Sequence, residues 1–454
     1  MKLTFCGGVG EATGANYMLE TAAGNEQPAT RILIDCGLHQ GSHYASRENF
    51  EPFPYDPKSI QAIFITHAHL DHIGRLPSLV KAGFEGKIFS SSATKDFAEL
   101  MLLDSEHILY QEAEREHREP LYDSRDIHRV MALWHRLNYH QQMTVGGFTV
   151  QIFDAGHILG SAFYKIEADG KAIVFSGDLG NLPALIIKPT ETIDAADYCV
   201  IESTYGDRVH ENVDRRRDQL ERAVEDTMKG GGTLMIPTFA LERTQEMLYH
   251  LHQLFEEGRI PRVPVFIDSP LAIKLTAIYK KYESLFNAET QAIARSGDDI
   301  MNFPGLRLTL TTEQSKEINN VPPPKIVIAG SGMSNGGRIL HHELRYLPDP
   351  KSAILFVGYQ ADGSLGRQIL DGAQEVRIMG ETVPVRCRVI NIPGYSAHAD
   401  QPHLLSWAGH MRKTLKKVFV VQGEQKSSEV LAAKIRDELA VNAEVPKVGE
   451  SVDL

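Results

Sequence analysis

Along the first part of the chain, short apolar runs end abruptly on ligand-type side chains. RILIDCG runs into Asp35, AIFITHAHLDH into His67, His69, Asp71 and His72, FTVQIFDAGH toward His157, and AIVFSGD into Asp178. Apolar runs this short, bounded by polar residues, predict buried strands. Strands that point the same way in one sheet deliver their C-terminal residues to one edge, so these groups are expected to meet although they lie far apart in sequence. Three histidines and an aspartate between positions 67 and 72 make poor core, because each imidazole or carboxylate taken out of water needs a partner.

From about Asp207 the pattern changes to alternating helix and strand. NVDRRRDQLERAVEDTMKGGG places apolar Leu220, Val224 and Met228 at fourfold spacing before a glycine stop, which predicts a helix. TLMIP follows as a strand, ERTQEMLYHLHQLFEEG as a helix, and VPVFIDSP, KIVIAGSG and AILFVGYQ as strands. That rhythm predicts a parallel α/β layer. Near residue 380 the pattern shifts again, through VPVRCRVINIP, to the ligand-like cluster GYSAHAD. There is no low-complexity linker, so the middle segment reads as inserted into the first domain rather than strung after it.

A length of 454 residues exceeds one ordinary core and predicts two domains. Hydrophobic content of 42% and charged content of 23% belong to a soluble globular protein. No apolar run reaches the length of a membrane span, and MKLTFCGGVGEATGANYML has no signal-peptide pattern, so a cytoplasmic location with no membrane partner is expected. Cys6, Cys36, Cys199 and Cys387 are scattered in apolar surroundings and read as buried thiols. A net charge of -12 argues against a broad surface that coats nucleic acid, while leaving room for a local basic cleft.

His67, His69, Asp71 and His72 form H-x-H-x-D-H. In an extended loop alternate positions point the same way, so His67 and His69 are placed to share one ion while Asp71 and His72 turn toward a second. His157 and Asp178 are of the right type to complete most of such a pair. Imidazole-rich mixed ligation favours zinc, with manganese or iron as alternatives.

H-x-H-x-D-H with the later DAGHILGS and FSGDLG resembles the metallo-β-lactamase fold hydrolases. ESTYGDR, PTFALERTQEML, DSPLA, GSGMSNGGR, VGYQADGSLGRQIL and GYSAHAD narrow the resemblance to the β-CASP branch, which includes ribonucleases and the endonuclease subunit of the cleavage and polyadenylation factor. The resemblance spans nearly the whole chain. It implies an αββα metallo-β-lactamase sandwich over 1–208 and 381–454, split by a β-CASP α/β domain of mainly parallel sheet over 209–380, with RNA held between the two. By position, it assigns His67, His69 and His157 to a first zinc, Asp71 and His72 to a second, Asp178 to the bridge, and Asp35 to an outer orienting role. Glu202 and His398 match the family's acid and histidine motifs, and their pairing would keep the imidazole protonated and aimed as a general acid.

GSGMSNGGR follows a predicted strand, so Ser331 and Gly332 are candidates for a backbone and hydroxyl clamp on phosphate. Arg243, Arg338 and Arg367 are candidates for phosphate contacts. The chain departs from the family at Gln422, in FVVQGE, where the family carries a histidine that completes the second zinc site. An amide oxygen is a weak zinc ligand, so the second ion is expected to bind less tightly, to give way to a harder ion such as manganese, or to be lost together with turnover. Without a KH-like segment at its start or a long C-terminal domain, the chain resembles the compact bacterial form.

The leading expectation is thus a metal-dependent ribonuclease acting on single-stranded RNA by a two-metal mechanism, with a homodimer as a further expectation. A small-ester or thioester hydrolase is an alternative that the same metal set could serve, though the large insert argues against it. A non-catalytic RNA-binding or assembly subunit is a third reading, motivated by Gln422.

Overall fold

The computed structural model describes residues 1–22, 29–40, 47–115, 117–210, 215–361 and 363–454. The chain divides into two compact units. The first comprises residues 1–184, 188–209 and 398–454, and the second comprises 185–187 and 210–397.

The first unit contains two seven-stranded sheets. One is built from β1 (Lys2–Gly7), β2 (Asn16–Glu20), β3 (Arg31–Ile34), β4 (Ala62–Phe64), β5 (Lys87–Ser91), β6 (Trp134–Leu137) and the last strand of the chain, β22 (Ser451–Asp453), which pairs with β1. The other contains β7 (Gln142–Val145), β8 (Phe148–Asp154), β9 (Ala162–Ala168), β10 (Lys171–Phe175), β11 (Tyr198–Glu202), β20 (Lys417–Val421) and β21 (Asn442–Glu444). The inner faces of both sheets share one core, with Leu3, Phe5, Ile32 and Phe64 packed among Phe148, Ile152, Tyr164, Phe175 and Phe419. Strict alternation along β8, buried at every second residue, is what a strand with one face on such a core requires. Phe64 is fully buried, stacked on Phe89 and edge-on to Tyr164, and burial of a side chain this size contributes roughly 1.5–3 kcal/mol. Helices Gln401–His410 and Gln425–Leu439 supply Leu404, Trp407, Leu431 and Ile435 to a second core that includes Val174, Ile201 and Val420 of the second sheet.

The second unit is a six-stranded sheet with order β14-β13-β15-β12-β16-β19, made of β12 (Thr233–Pro237), β13 (Val265–Asp268), β14 (Leu306–Leu308), β15 (Lys325–Ala329), β16 (Ala353–Phe356) and β19 (Arg388–Asn391). Every pair in it is parallel. β17 (Glu375–Ile378) and β18 (Glu381–Pro384) form a separate antiparallel hairpin. The predicted helix is present over Arg216–Lys229, and its Leu220, Val224 and Met228 stripe is buried. The sandwich with a parallel α/β insert agrees with the fold class read from the sequence.

The division of the chain differs from the expected boundaries. Position 381 falls in the β17–β18 hairpin, and β19, read as the start of the returning sandwich segment, pairs with β16 in the inserted sheet. The chain re-enters the first unit at His398. Residues 185–187 also belong to the second unit, where Ile187 bridges to Phe286 and the Asn287 N–H donates to the Ile186 carbonyl.

Candidate metal centre

All the groups of this centre lie in the first unit. β3 and β4 run parallel, as do β10, β11 and β20, so Asp35, His67, Asp178, Glu202 and Gln422 each stand at or just beyond a strand's C-terminal end. Backbone hydrogen bonds knit the loops together: Asp35 N–H donates to Phe64, Cys36 to His72 and Ala15 to Asp71. Two glycines permit this approach. A Cβ on Gly37 would sit 1.5 Å from the Asp71 carbonyl oxygen, and one on Gly180 would sit 1.8 Å from that of Gly156, beside His157.

His67, His69, His157 and Asp178 converge with one ligand atom each, all within 4.8 Å of one another. His69 Nδ1 lies 3.0 Å from His67 Nε2 and 3.3 Å from His157 Nε2. Asp178 Oδ2 lies 3.4 Å from His67 Nε2 and 3.6 Å from His157 Nε2. Ligands on a tetrahedral ion with bonds of about 2.0–2.1 Å stand roughly 3.3 Å apart, so the four atoms fit a single ion. Asp178 is 2% exposed, and it turns Oδ2 toward His67 and His157 while Oδ1 faces His72, so its buried negative charge is one that a cation among the imidazoles would satisfy. Burial, reinforced by neighbouring His72, holds the His67 imidazole well below the usual range, in the neutral form that ligates.

His72 occupies the other side of Asp178. Its Nδ1 lies 2.8 Å from Asp35 Oδ2, and its Nε2 lies 3.4 Å from Asp178 Oδ1 and 3.7 Å from Asp71 Oδ2. Burial opposes the charged imidazole, but Asp178, Asp35 and Asp71 outweigh it and raise the pKa well above the usual value. Burial pushes the Asp71 carboxyl up to about 6.

Glu202 and His398 also meet. His398 Nδ1 is 3.2 Å from Glu202 Oε2 and 3.8 Å from Asp178 Oδ2, and its ring centroid is 4.6 Å from that of His157. Burial disfavours the imidazolium, yet Glu202 and Asp178 together lift its pKa to about 9.

Two residues that sequence reasoning missed organise this centre. Thr66 Oγ1 lies 2.8 Å from Asp35 Oδ2, 3.0 Å from His67 Nδ1 and 3.3 Å from His72 Nδ1. By donating to Asp35 it is left to accept from His67 Nδ1–H, which presents His67 Nε2 as the free ligand. Its signal was its place directly before the first histidine. Tyr17 donates to Gln422 Oε1 at 3.1 Å, and no pattern around it announces that role.

The predicted phosphate contacts lie in the second unit, and each arginine there already faces a carboxylate. Arg243 is 6% exposed and ion-paired with Glu246. Arg338 contacts Asp268 Oδ1 at 2.8 Å and the Thr309 carbonyl at 3.0 Å, while Arg367 pairs with Asp371 at 2.8 Å. Ser331 Oγ accepts the Asn335 N–H at 3.0 Å, and a Cβ on buried Gly332 would meet the Phe239 ring. The four cysteines are free; Cys36, Cys199 and Cys387 are buried as expected, whereas Cys6 is only half-buried, and loss of solvent pushes Cys6, Cys36 and Cys387 each up to about 12. Among the described residues no helix is long and apolar enough to cross a membrane.

A sandwich edge carrying three histidines and a shared aspartate, with an α/β unit inserted in the chain, defines a metallo-β-lactamase fold hydrolase of the β-CASP branch, and this chain belongs to that family. Residues 30–230 match the beta-lactamase superfamily domain, 244–369 the Beta-Casp domain, and 382–446 the Zn-dependent metallo-hydrolase RNA specificity domain. The chain is 38% identical to Ribonuclease TTHA0252 of Thermus thermophilus, covering 94% of each chain. It is 31% identical to an RNase J-like protein of Methanocaldococcus jannaschii over 98% of each chain. It is also 30% identical to Transcription termination factor FttA of Methanosarcina mazei, covering 97% of this chain and 70% of that one. A crystal structure of a protein of unknown function from Enterococcus faecalis shares the fold, with a TM-score of 0.58 at 13% identity over 100% of this chain and 99% of the other.

Proposed function

We propose that this protein is a metal-dependent ribonuclease that hydrolyses phosphodiester bonds of single-stranded RNA. The observation that carries this reading is the convergence of His67, His69, His157 and Asp178 on one point beside the His398–Glu202 pair. Zinc fits the imidazole-rich set, with manganese as the alternative; held by His67, His69, His157 and Asp178, such an ion would lower the pKa of water and act as a Lewis acid toward the phosphoryl group. Asp178 contributes the negative charge that draws the ion between the imidazoles, and Thr66 sets the His67 tautomer. His398, held by Glu202 at Nδ1, keeps a proton on its other nitrogen and delivers it to the departing ribose oxygen.

Support for RNA comes from the chemistry of the second unit as well as from the relatives. Phe239 and Tyr359 are 41% and 38% exposed beyond the C-terminal ends of the adjacent strands β12 and β16, and exposed rings of this kind stack unpaired bases. The test is cleavage of a single-stranded RNA labelled at either end, in Zn2+ or Mn2+, beside a DNA of the same sequence. Cleavage of RNA that a chelator stops and Asp178→Ala abolishes is the expected result. An intact RNA in both metals would refute the reading, and the two labels distinguish internal from terminal cleavage.

A further inference from the structure

Gln422 occupies the position where a ligand to a second ion is expected, and its amide faces the wrong way to serve as one. Gln422 Nε2 lies 3.2 Å from His72 Nε2 and 3.2 Å from the Ala12 carbonyl oxygen, while Oε1 accepts the Tyr17 hydroxyl at 3.1 Å. The Ala12 carbonyl decides this orientation. Turning the amide over would set its oxygen against another acceptor and would leave the NH2 group toward Tyr17. The backbone reinforces it: the Gln422 N–H donates to the Gly8 carbonyl at 2.8 Å, and a Cβ on Gly8 would stand 2.6 Å from Gln422 Oε1. Gln422 is 2% exposed, so its amide has no solvent to turn into.

The consequence falls on His72. Asp35 engages its Nδ1 at 2.8 Å, so Nε2 is the ring nitrogen that could bind a metal once the imidazolium has given up its proton there, and the NH2 of Gln422 stands 3.2 Å from that atom. An NH2 group has hydrogens to give and no lone pair to share with a cation. The first ion's position has no such obstacle. Among the described residues, His67, His69, His157 and Asp178 close into a four-ligand group, whereas Asp71, His72 and Asp178 form no group of comparably short mutual distances.

We propose that this chain holds one ion firmly, at His67, His69, His157 and Asp178, and that Gln422 is a hydrogen-bonded latch, fixed by Tyr17 and Ala12, that closes the second position over His72. The proposal shares the first-ion site with the ribonuclease reading, yet its readout is ion count, independent of RNA cleavage. A second ion has to displace the amide from His72 Nε2, and leaving such buried groups unpaired weakens its binding by about 10- to 100-fold relative to an unlatched site.

The sign of one substitution separates a latch from a weak ligand. The full-length protein, freed of metal by chelation and dialysis, is titrated with Zn2+ by calorimetry, with bound metal counted by mass spectrometry. Mn2+ binding is followed in parallel by electron paramagnetic resonance, where isolated ions and coupled pairs give different spectra. The wild type is expected to bind one tight ion per chain and to show an isolated Mn2+ signal. Gln422→Ala removes the latch and is expected to tighten the second ion by about 10-fold. Tyr17→Phe keeps the ring packing, frees only Oε1, and is expected to tighten the second ion by a smaller factor. Two tight ions in the wild type overturn the proposal, and so does a second-ion affinity that falls or stays unchanged in both variants. One tight ion without RNA cleavage would refute the ribonuclease reading and leave the ion count standing.

Discussion

His398 Nδ1 faces Glu202 Oε2 at 3.2 Å, and the other oxygen of the same carboxylate accepts the backbone N–H of Leu179 at 2.5 Å. Glu202 therefore ties the histidine to the loop that carries Asp178. The carboxylate both raises the imidazole's affinity for its proton and holds the ring's direction. Glu202→Gln preserves shape and removes the charge. RNA-cleavage kcat is expected to fall by about 10²- to 10⁴-fold with KM and metal content nearly unchanged. His398→Ala is expected to fall similarly, and the double variant no further than the worse single one, because the pair acts as a unit. A kcat loss that tracks metal loss would show instead that Glu202 supports the ion.

Thr66 links Asp35 to His67 through one hydroxyl, at 2.8 Å and 3.0 Å. Thr66→Val keeps the branched shape and leaves His67 Nδ1 without its acceptor. The ring is then free to turn or change tautomer, and affinity for the first ion is expected to drop by about 10- to 100-fold. Thr66→Ser is expected to restore it. Competition titration with a coloured chelator measures both variants, and equal affinities for Val and wild type would show that packing alone orients His67.

The convergence of His67, His69, His157 and Asp178 was legible because these are rare residue types placed where apolar strands stop. The Leu220, Val224 and Met228 stripe was legible for a similar reason: helical periodicity is a local property. What escaped depends on remote partners. Apolar VPVRCRVINIP suits a strand in either sheet, and only its pairing with β16 assigns it to the insert. The guanidinium of Arg338 looks available in sequence, but Asp268, 70 residues away, engages it. The direction of the Gln422 amide rests on the Ala12 carbonyl, 410 residues away, so the resemblance of FVVQGE to the family motif pointed to the replaced histidine without revealing which end of the amide faces His72.

Removing the ion would leave three imidazoles and the buried Asp178 carboxylate facing one another. Binding to the folded state alone stabilises by about 2.7 kcal/mol when free metal stands at 100 times Kd. In a unit of this size about 1 kcal/mol moves Tm by roughly 2–4 °C, so chelation is expected to lower the transition of the first unit by roughly 5–10 °C. Calorimetric scans with and without metal test this. In His157→Ala the metal-dependent shift is expected to shrink to a small fraction, and a wild type indifferent to chelation would count against the four-ligand site.

A last prediction concerns Glu343, in the second unit. Glu343 is 0% exposed, its Oε1 meets the Ser334 hydroxyl at 2.5 Å, and Oε2 has no hydrogen-bond partner. Burial dominates over that single hydrogen bond and pushes its pKa from 4.5 up to about 8, so the folded protein keeps the acid protonated at neutral pH. Below the unfolded value both states carry the proton and Glu343 adds no pH dependence. Between 4.5 and about 8 the unfolded chain releases the proton while the folded chain retains it, so stability falls as pH rises. The slope is at most about 1.4 kcal/mol per pH unit, and it flattens once the folded state also ionises. Glu343→Gln mimics the protonated acid and cannot titrate. Urea unfolding of both proteins from pH 5 to 9 is expected to show the variant gaining on the wild type as pH rises, with most of the gain complete near pH 8. A difference that stays constant across that range would mean that Glu343 is already ionised in the fold, with its charge met by a partner other than Ser334.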